Sequence, residues 1–327
     1  MHAGTRVVGG RPANTRSGTH PSDRLGDALL RGVCLLAALL AVLAIVAISY
    51  QVIHGARPSF ARFGLGFLGH STWQPNFGVF GAATFIYGTA VTSLMAMLLS
   101  VPLGISIALY LSLMAPRRVR AVIAPLVEML AAIPSVILGF WGILVLGPFL
   151  QAHLEPFLHS TLGFIPIFGP TPTTGSGLFI ASLILTIMVV PIIASISRDL
   201  FLAVPRELQD GATALGATPW EVVRGVVLPS SASGIAAAAF LGLGRALGEA
   251  IAVTQVIGAG NFIHTSLFQT GDTLASRIAD QFQGATTRLQ ISSLFYLGLI
   301  LLVIGLLANL AAQLITRRFD VSKVAAR

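Results

Sequence analysis

The chain has 327 residues, of which 55% are hydrophobic and only 10% are charged, and its mean hydropathy is +0.85. A soluble protein needs roughly a quarter of its residues charged to cover its surface, so this composition excludes an ordinary soluble globular protein. The net charge of +8 does not indicate a nucleic-acid-binding protein, because the basic residues stand in short clusters between long apolar runs. The composition therefore predicts a membrane protein.

Six apolar runs are long enough to cross a bilayer. They are predicted at 32–53, 83–114, 121–147, 177–197, 233–257 and 291–316. The runs lack the two-residue alternation of a β-barrel, so we expect an all-α polytopic membrane protein with six transmembrane helices. Residues 1–30 are expected to form a disordered tail, and 31–76 the first helix with an outer segment. A second tail is expected at 317–327.

The basic residues predict the orientation of these helices. Arginines concentrate in the N-terminal tail, between the second and third runs, between the fourth and fifth runs, and at the C-terminus. The intervening connections carry few. By the positive-inside rule, both termini and the two Arg-rich connections are predicted to be cytoplasmic.

The connection between the fourth and fifth runs, residues 205–229, carries strong helix signals. Leu208, Ala212 and Leu215 recur at helical spacing and predict one apolar stripe on a first helix. Gly216 is suited to end that helix, because glycine tolerates the left-handed conformation found there. We therefore predict a short helix followed by a tight glycine turn.

A second helix is predicted directly after the turn. Thr218 can cap its first turn, and Glu221, three residues later, completes a capping box. Pro219 suits the first helical position. This helix is expected to run to about Leu228, with Pro229 beyond it.

The segment 205–229 resembles the EAA loop of ABC-importer permeases, which reads Glu-Ala-Ala, three residues, Gly, nine residues, an aliphatic, any residue and Leu-Pro. The matching positions are Asp210, Gly211, Ala212, Gly216, Val226, Leu228 and Pro229. Asp and Gly replace the first Glu and Ala of the motif. The resemblance implies that this segment docks on a separate ATPase and transmits its closure. The alternative is an ordinary amphipathic loop helix.

Three ionisable residues fall inside the predicted spans, where a charge is costly and usually functional: Glu128, Arg245 and Glu249. Arg245 and Glu249 stand four residues apart and are predicted to share a helix face. A guanidinium suits phosphate because its planar fork donates two parallel hydrogen bonds. Gly244 and Gly248 favour close approach of another helix. From these residues alone, an anion path and a structural ion pair are equally consistent.

Three stretches resemble the C-type permease of the phosphate-specific (Pst) importer family. They are Phe77-Gly78-Val79 through Phe85-Ile86-Tyr87-Gly88-Thr89, Glu128-Met129-Leu130-Ala131-Ala132-Ile133-Pro134-Ser135, and Gly244-Arg245-Ala246-Leu247-Gly248-Glu249-Ala250. The resemblance implies an ABC-importer (MetI-like) permease core over 77–316 with one added N-terminal helix. It also implies that Arg245 and Glu249 serve the phosphate path. For Glu128, a path role and a helix-bundle contact both remain open.

The resemblance further implies several partners in a bacterial cytoplasmic membrane. They are a second homologous permease, an ATPase dimer that binds ATP and Mg, and an extracytoplasmic phosphate-binding protein. This chain itself is expected to be no enzyme and to hold no cofactor or metal, since it lacks a phosphate loop. The alternatives are a permease for sulfate or molybdate and, further off, a channel or secondary transporter.

The outer segments 54–80 and 258–290 are expected to meet the binding protein or to anchor at the membrane interface through aromatic residues. Trp73, Phe77, Phe262 and Phe268 are the candidates. Residues 274–283 are predicted to form a short amphipathic helix lying on the outer surface.

Overall fold

The computed structural model describes residues 21–171 and 174–318, and the regular elements in these ranges are helices. Ten of them organise the chain. They are α1 (Pro21–Phe63), α2 (Ala83–Met114), α3 (Arg117–Ala131), α4 (Ser135–Leu162), α5 (Leu178–Leu202), α6 (Arg206–Ala214), α7 (Pro219–Gly248), α8 (Ile251–Val256), α9 (Leu274–Gln281) and α10 (Arg288–Arg318).

Within the described ranges, six helices are long and apolar enough to cross a membrane: α1, α2, α4, α5, α7 and α10. The predicted number of spans and the all-α class are confirmed. Helix α1 begins at Pro21, so the expectation that the tail extends to residue 30 is wrong. The rest of that tail, and 319–327 of the C-terminal one, lie outside the described residues. The C-terminal tail was expected from 317, but α10 continues to Arg318.

The third span does not lie where the sequence predicted it. The predicted run 121–147 is broken after Ala131, and α4 begins anew at Ser135 and continues to Leu162. Pro134 explains the break, because proline has no N–H to donate and disfavours a helical conformation at the residue before it. Glu128 therefore lies on the separate helix α3, outside the spans, and its predicted place in span three is wrong.

The chain divides into two compact units, 1–51 and 52–327. In the first unit, the described part of α1 exposes its apolar side chains, Leu36 and Leu43 among them. Such an all-round apolar surface suits a helix surrounded by lipid.

In the second unit, α5 is the central helix, and 67% of its most apolar 18-residue stretch is buried. It packs against α2 and α7. Small residues allow the close approach: a Cβ at Gly104 of α2 would meet Ile193 at 2.8 Å, and one at Gly242 of α7 would meet Val189 at 2.7 Å. The core is therefore built around α5. Helix α7, which packs against α5, also packs against α10.

The predicted short helix in 274–283 is confirmed as α9, whose first turn is packed inside the protein while Ala279 and Asp280 are exposed. Leu274 and Arg277 are buried. Thr273 caps the helix by accepting a hydrogen bond from the N–H of Ser276 at 3.1 Å. The Leu274 N–H donates to Thr89 Oγ1 of α2 at 2.9 Å. These contacts fix the connection between α8 and α10 to α2.

The four outer aromatic residues separate into two pairs. Trp73 and Phe268 belong to the buried core, so neither is an interfacial anchor. Phe77 and Phe262 are 77% and 72% exposed. Of the four, only these two remain candidates for contact with a partner or with the membrane interface.

Candidate functional site

The helix–turn–helix predicted at 205–229 is present. Helix α6 ends at Ala214, and Gly216 adopts the predicted left-handed conformation, with φ +89°. Glu221 Oε2 accepts a hydrogen bond from the Thr218 N–H at 2.8 Å, and the Glu221 N–H donates to Thr218 Oγ1 at 3.4 Å. The capping box therefore begins α7 where the sequence placed it.

The predicted apolar stripe on α6 is only partly packed against this chain. Ala212 packs against a small core cluster built around Phe201 and Val227. Leu208 is 53% exposed and Leu215 is 91% exposed. Trp220, on the first turn of α7, is 64% exposed as well. The turn therefore presents apolar side chains that the described part of the chain does not cover.

Helix α7 does not end at Leu228, which corrects the predicted boundary. A π-helical turn over Val223–Val227 joins the capped first turn to the rest of the helix, which continues to Gly248. The Leu228 N–H donates to the carbonyl of Val223, five residues back. The π-helical turn ends two residues before Pro229, which has no N–H to donate to the helical ladder. Segment 205–229 is therefore continuous with the membrane helix that carries Arg245.

Arg245 and Glu249 are separated by the end of this helix. Glu249 follows the last helical residue and has an extended backbone, with φ −72° and ψ 119°. Its Oε1 accepts a hydrogen bond from the Ala252 N–H at 3.2 Å, so it caps α8. The predicted shared helix face is wrong, and no ion pair joins Arg245 to Glu249 in the described structure.

Arg245 lies in a groove between α7 and α10 with a volume of about 910 Å³. We call it the Arg245 groove; besides Arg245, its polar side chains and glycines are Gly244, Gly248, Gly305, Asn309, Gln313 and Thr316. The guanidinium has no hydrogen-bond or ion-pair partner among the described residues. A Cβ added at Gly244 or Gly248 would meet nothing within 4 Å. This side of α7 is therefore uncovered in the described chain.

Glu128 is paired with a different element. Its Oε1 lies 3.1 Å from Nη1 of Arg198 on α5. The second guanidinium nitrogen of Arg198 lies 3.4 Å from Asp199. The Glu128 side chain is 50% exposed, and it does not line the Arg245 groove. The structure therefore joins Glu128 to α5 rather than to Arg245 and Glu249.

Sequence reasoning missed a buried ion pair between Asp272 and Arg277. Arg277 Nε lies 2.7 Å from Asp272 Oδ2, and the two side chains are 3% and 2% exposed. The guanidinium also donates to Asn261 Oδ1 and lies 4.7 Å from the ring centroid of Phe85. Burial raises the pKa of Asp272 to about 6, although the charge of Arg277 opposes the shift.

A second missed residue is Glu155 in α4, which is 3% exposed. Its Oε2 has no hydrogen-bond partner. The misplaced third span hid it, because the predicted run stopped at residue 147 and left Glu155 outside. No group of three His, Cys, Asp or Glu side chains that could hold a metal occurs in the described ranges.

Residues 100–321 match the family described as "binding-protein-dependent transport system inner membrane component". The chain belongs to this family. It is accordingly a multi-pass inner-membrane permease. This agrees with the six spans and with the ABC-importer permease that the sequence predicted.

Curated relatives match nearly the whole chain. The phosphate transport system permease protein PstC of Mesorhizobium japonicum is 41% identical, over 94% of this chain and 95% of its own. The protein of the same name from Haemophilus influenzae is 40% identical, over 91% of this chain and 95% of its own. The suspected likeness to the C-type Pst permeases is confirmed.

Solved structures support the fold alone. A chain of a bacterial alginate ABC transporter, solved in complex with an alginate-bound periplasmic protein, superposes with a TM-score of 0.58 at 19% identity, covering 90% of this chain and 98% of that one. A chain of the MetNI methionine ABC transporter in an inward-facing conformation gives a TM-score of 0.50 at 23% identity, covering 73% and 94%. The predicted MetI-like permease fold is confirmed.

Proposed function

We propose that this chain is a permease subunit of an ATP-driven phosphate importer and forms half of its translocation path. The curated relatives that match it over most of their length carry the name phosphate transport system permease. The chain supplies the membrane path, and ATP and Mg are bound by a separate ATPase. Both termini face the cytoplasm in this proposal, as the arginine distribution predicts.

One observation carries the proposal: an unpartnered arginine lies in a groove of a membrane helix that continues into an exposed helix–turn–helix. An arginine without a counter-charge is costly in lipid, so the groove must meet water, an anion or another protein. A guanidinium in that position can bind a phosphate oxygen pair through two parallel N–H donors. Arg245 is therefore the proposed anion contact.

The partners follow from the uncovered surfaces. A second, homologous permease closes the Arg245 groove from the opposite side and makes the path. An ATPase dimer receives the segment 205–229, where Leu215 and Trp220 are exposed. Asp210, Gly211, Ala212, Gly216, Leu228 and Pro229 are the proposed coupling residues. A phosphate-binding protein docks on the opposite end of the bundle.

Continuity of α7 supplies the coupling in this proposal. Closure of the ATPases moves the first turn of α7, and the helix carries that motion to Arg245 through the π-helical turn at Val223–Val227. Such a displacement changes which side of the membrane can reach the groove, which is the requirement for alternating access. Glu249 caps α8 at the far end of α7 and fixes the junction between the two helices.

The second candidate function is a permease subunit of the same kind of importer for another oxyanion, sulfate or molybdate, because Arg245 alone does not select among these anions. The deciding experiment is uptake of labelled phosphate and, separately, labelled sulfate at low external concentration, in cells with and without this chain and lacking other importers of either anion. Loss of phosphate uptake alone supports the proposal. Loss of sulfate uptake alone contradicts the substrate, and unchanged uptake of both contradicts the transporter assignment.

A further inference from the structure

The Arg245 groove contains a polar stripe on α10, and the proposed function gives these residues no role. Asn309, Gln313 and Thr316 recur at spacings of four and three residues, so they lie on one face of the helix. All three line the groove together with Arg245. Amide side chains are costly on a lipid-facing surface, which indicates that this face meets water or protein.

The amides of the stripe are available for a ligand. The side chains of Asn309 and Gln313 have no hydrogen-bond partner in the described part of the chain. Thr316 donates its hydroxyl to the Ala312 carbonyl at 2.9 Å, which leaves the oxygen lone pairs free to accept. Leu306 and Leu310, on the same helix, are exposed but lie outside the groove. Within 301–316, the polar residues of α10 are therefore confined to one face.

The groove extends along the two helices, in the direction that crosses the membrane. Its α7 lining extends from Ala237 to Gly248 and its α10 lining from Leu301 to Thr316. At 1.5 Å per residue these stretches are about 17 Å and about 22 Å long, more than half of a hydrocarbon core of about 30 Å. Consecutive spans run in opposite directions, so Arg245 lies toward one end of the groove and Thr316 toward the other.

We propose that Asn309, Gln313 and Thr316 form the inner half of the anion path, between Arg245 and the C-terminal end of α10. This inference rests on the proposed function and extends it to residues on a second helix. Neutral donors bind an anion without the strong attraction of a second arginine, so they permit release. Amide carbonyls also accept a hydrogen bond from the hydroxyl of a protonated phosphate, and fully ionised sulfate has no such hydroxyl.

The experiment uses cysteine accessibility in the complete importer in membrane vesicles. Cys34 is the chain's one cysteine, so Cys34→Ser makes this chain cysteine-free, and labelling is read on this chain alone. Asn309→Cys, Gln313→Cys and Thr316→Cys are compared with Leu306→Cys and Leu310→Cys. The probe is a negatively charged methanethiosulfonate, with inorganic phosphate or sulfate as the protecting anion.

The three groove cysteines are expected to react at least about tenfold faster than the two controls, because the reactive thiolate forms in water and not in lipid. Inorganic phosphate should slow that reaction and sulfate should slow it less. Equal rates for groove and control positions would overturn the inference and place the stripe against the second permease or lipid. Fast reaction that phosphate does not slow would overturn it too.

Phosphate uptake by the Cys34→Ser importer is measured first, so that the proposed function and the role of the stripe are tested separately. If neither this importer nor the wild type takes up phosphate, the proposed function is contradicted. Normal uptake with unreactive groove cysteines contradicts only the role of the stripe.

As a second measurement, Asn309→Leu should lower phosphate uptake about tenfold at unchanged amounts of assembled importer, since it removes a hydrogen bond to a charged ligand. Leu310→Asn, which adds the amide outside the groove, should not raise uptake; unchanged uptake in Asn309→Leu would overturn the inference.

Discussion

Trp220 and Arg245 belong to one continuous helix, Pro219–Gly248. At 1.5 Å per residue they lie about 38 Å apart along its axis. Trp220 is exposed beside the glycine turn at Gly216, and Arg245 is unpartnered in the groove against α10. A contact at the turn is therefore connected to the proposed anion site through one helix.

The turn at Gly216 is the first place to test this connection. Gly216 has φ +89°, a conformation that costs a β-branched residue about 2 kcal/mol or more. We expect Gly216→Val to shift the direction in which α7 leaves the turn, and so to uncouple ATP hydrolysis from phosphate uptake. The measurement is the ratio of phosphate imported to ATP hydrolysed in proteoliposomes containing the complete importer.

Gly211→Ala is the matched control, because it restores the alanine that the EAA motif has at this position of the coupling segment. Gly211 lies within α6, and an added Cβ there would meet nothing within 4 Å. Alanine should stabilise α6 by about 0.5–1 kcal/mol and leave the coupling ratio unchanged. A normal ratio in Gly216→Val would show that the geometry of this turn does not serve coupling.

Arg245→Gln tests the anion contact. Glutamine keeps much of the length but removes the charge and the paired donors, so phosphate uptake should be lost while the importer still assembles. Arg245→Lys keeps a charge without the planar fork and should retain a small part of the uptake. Assembly is checked by co-purification of the subunits. Wild-type uptake in Arg245→Gln would remove Arg245 from the path.

Local signals in the sequence predicted the glycine turn and the capping box correctly, because Gly216, Thr218 and Glu221 act on neighbouring backbone groups. Boundaries inside apolar runs were less predictable. The predicted runs 121–147 and 233–257 pass through Pro134 and Gly248, so hydropathy did not reveal the breaks that the structure shows at both places. The second break separates Glu249 from the helix face of Arg245.

Tertiary contacts were beyond the sequence. Asp272 and Arg277 stand in a polar stretch that reads as a surface segment, yet both are buried against α2. Their burial depends on Gly88 of α2, where an added Cβ would collide with the carbonyl oxygen of Asp272. Only the folded chain brings these distant residues together, so no periodicity along the chain could reveal the pair.

The Glu128–Arg198 pair should contribute little to stability. It is partly exposed, and exposed pairs are typically worth about 0–1 kcal/mol. We expect Glu128→Gln to leave phosphate uptake near wild type, and a double-mutant cycle with Arg198→Gln to give a coupling energy below about 1 kcal/mol. The cycle is measured from apparent Tm values of the purified importer. Loss of uptake in Glu128→Gln with normal assembly would instead assign Glu128 to the path.

Arg277→Gln should destabilise the importer strongly. It leaves the buried Asp272 carboxylate without its ion-pair partner, a change that typically costs about 3–5 kcal/mol. Adding Asp272→Asn removes the stranded charge, so the double variant should recover part of the apparent Tm. A double variant less stable than Arg277→Gln alone would mean that Asp272 is held by contacts other than this ion pair.

The raised pKa of Asp272 predicts a pH dependence of stability. Its folded-state pKa of about 6 lies above the usual 3.8, since burial disfavours the carboxylate more than Arg277 stabilises it. The folded state therefore binds this proton more tightly than the unfolded state does. The resulting stabilisation is complete below the unfolded pKa and is lost as the pH rises through about 6.

The test of that dependence compares apparent Tm with pH for the wild-type importer and for Asp272→Asn, in which this proton cannot titrate. Two pKa units correspond to about 3 kcal/mol at most, and the wild type should lose up to that amount relative to the variant between about pH 4 and about pH 7. Other titrating groups contribute equally to both proteins, so the difference between the two curves isolates Asp272. Parallel curves would mean that Asp272 keeps an ordinary pKa in the folded protein, and that Arg277 compensates its burial fully.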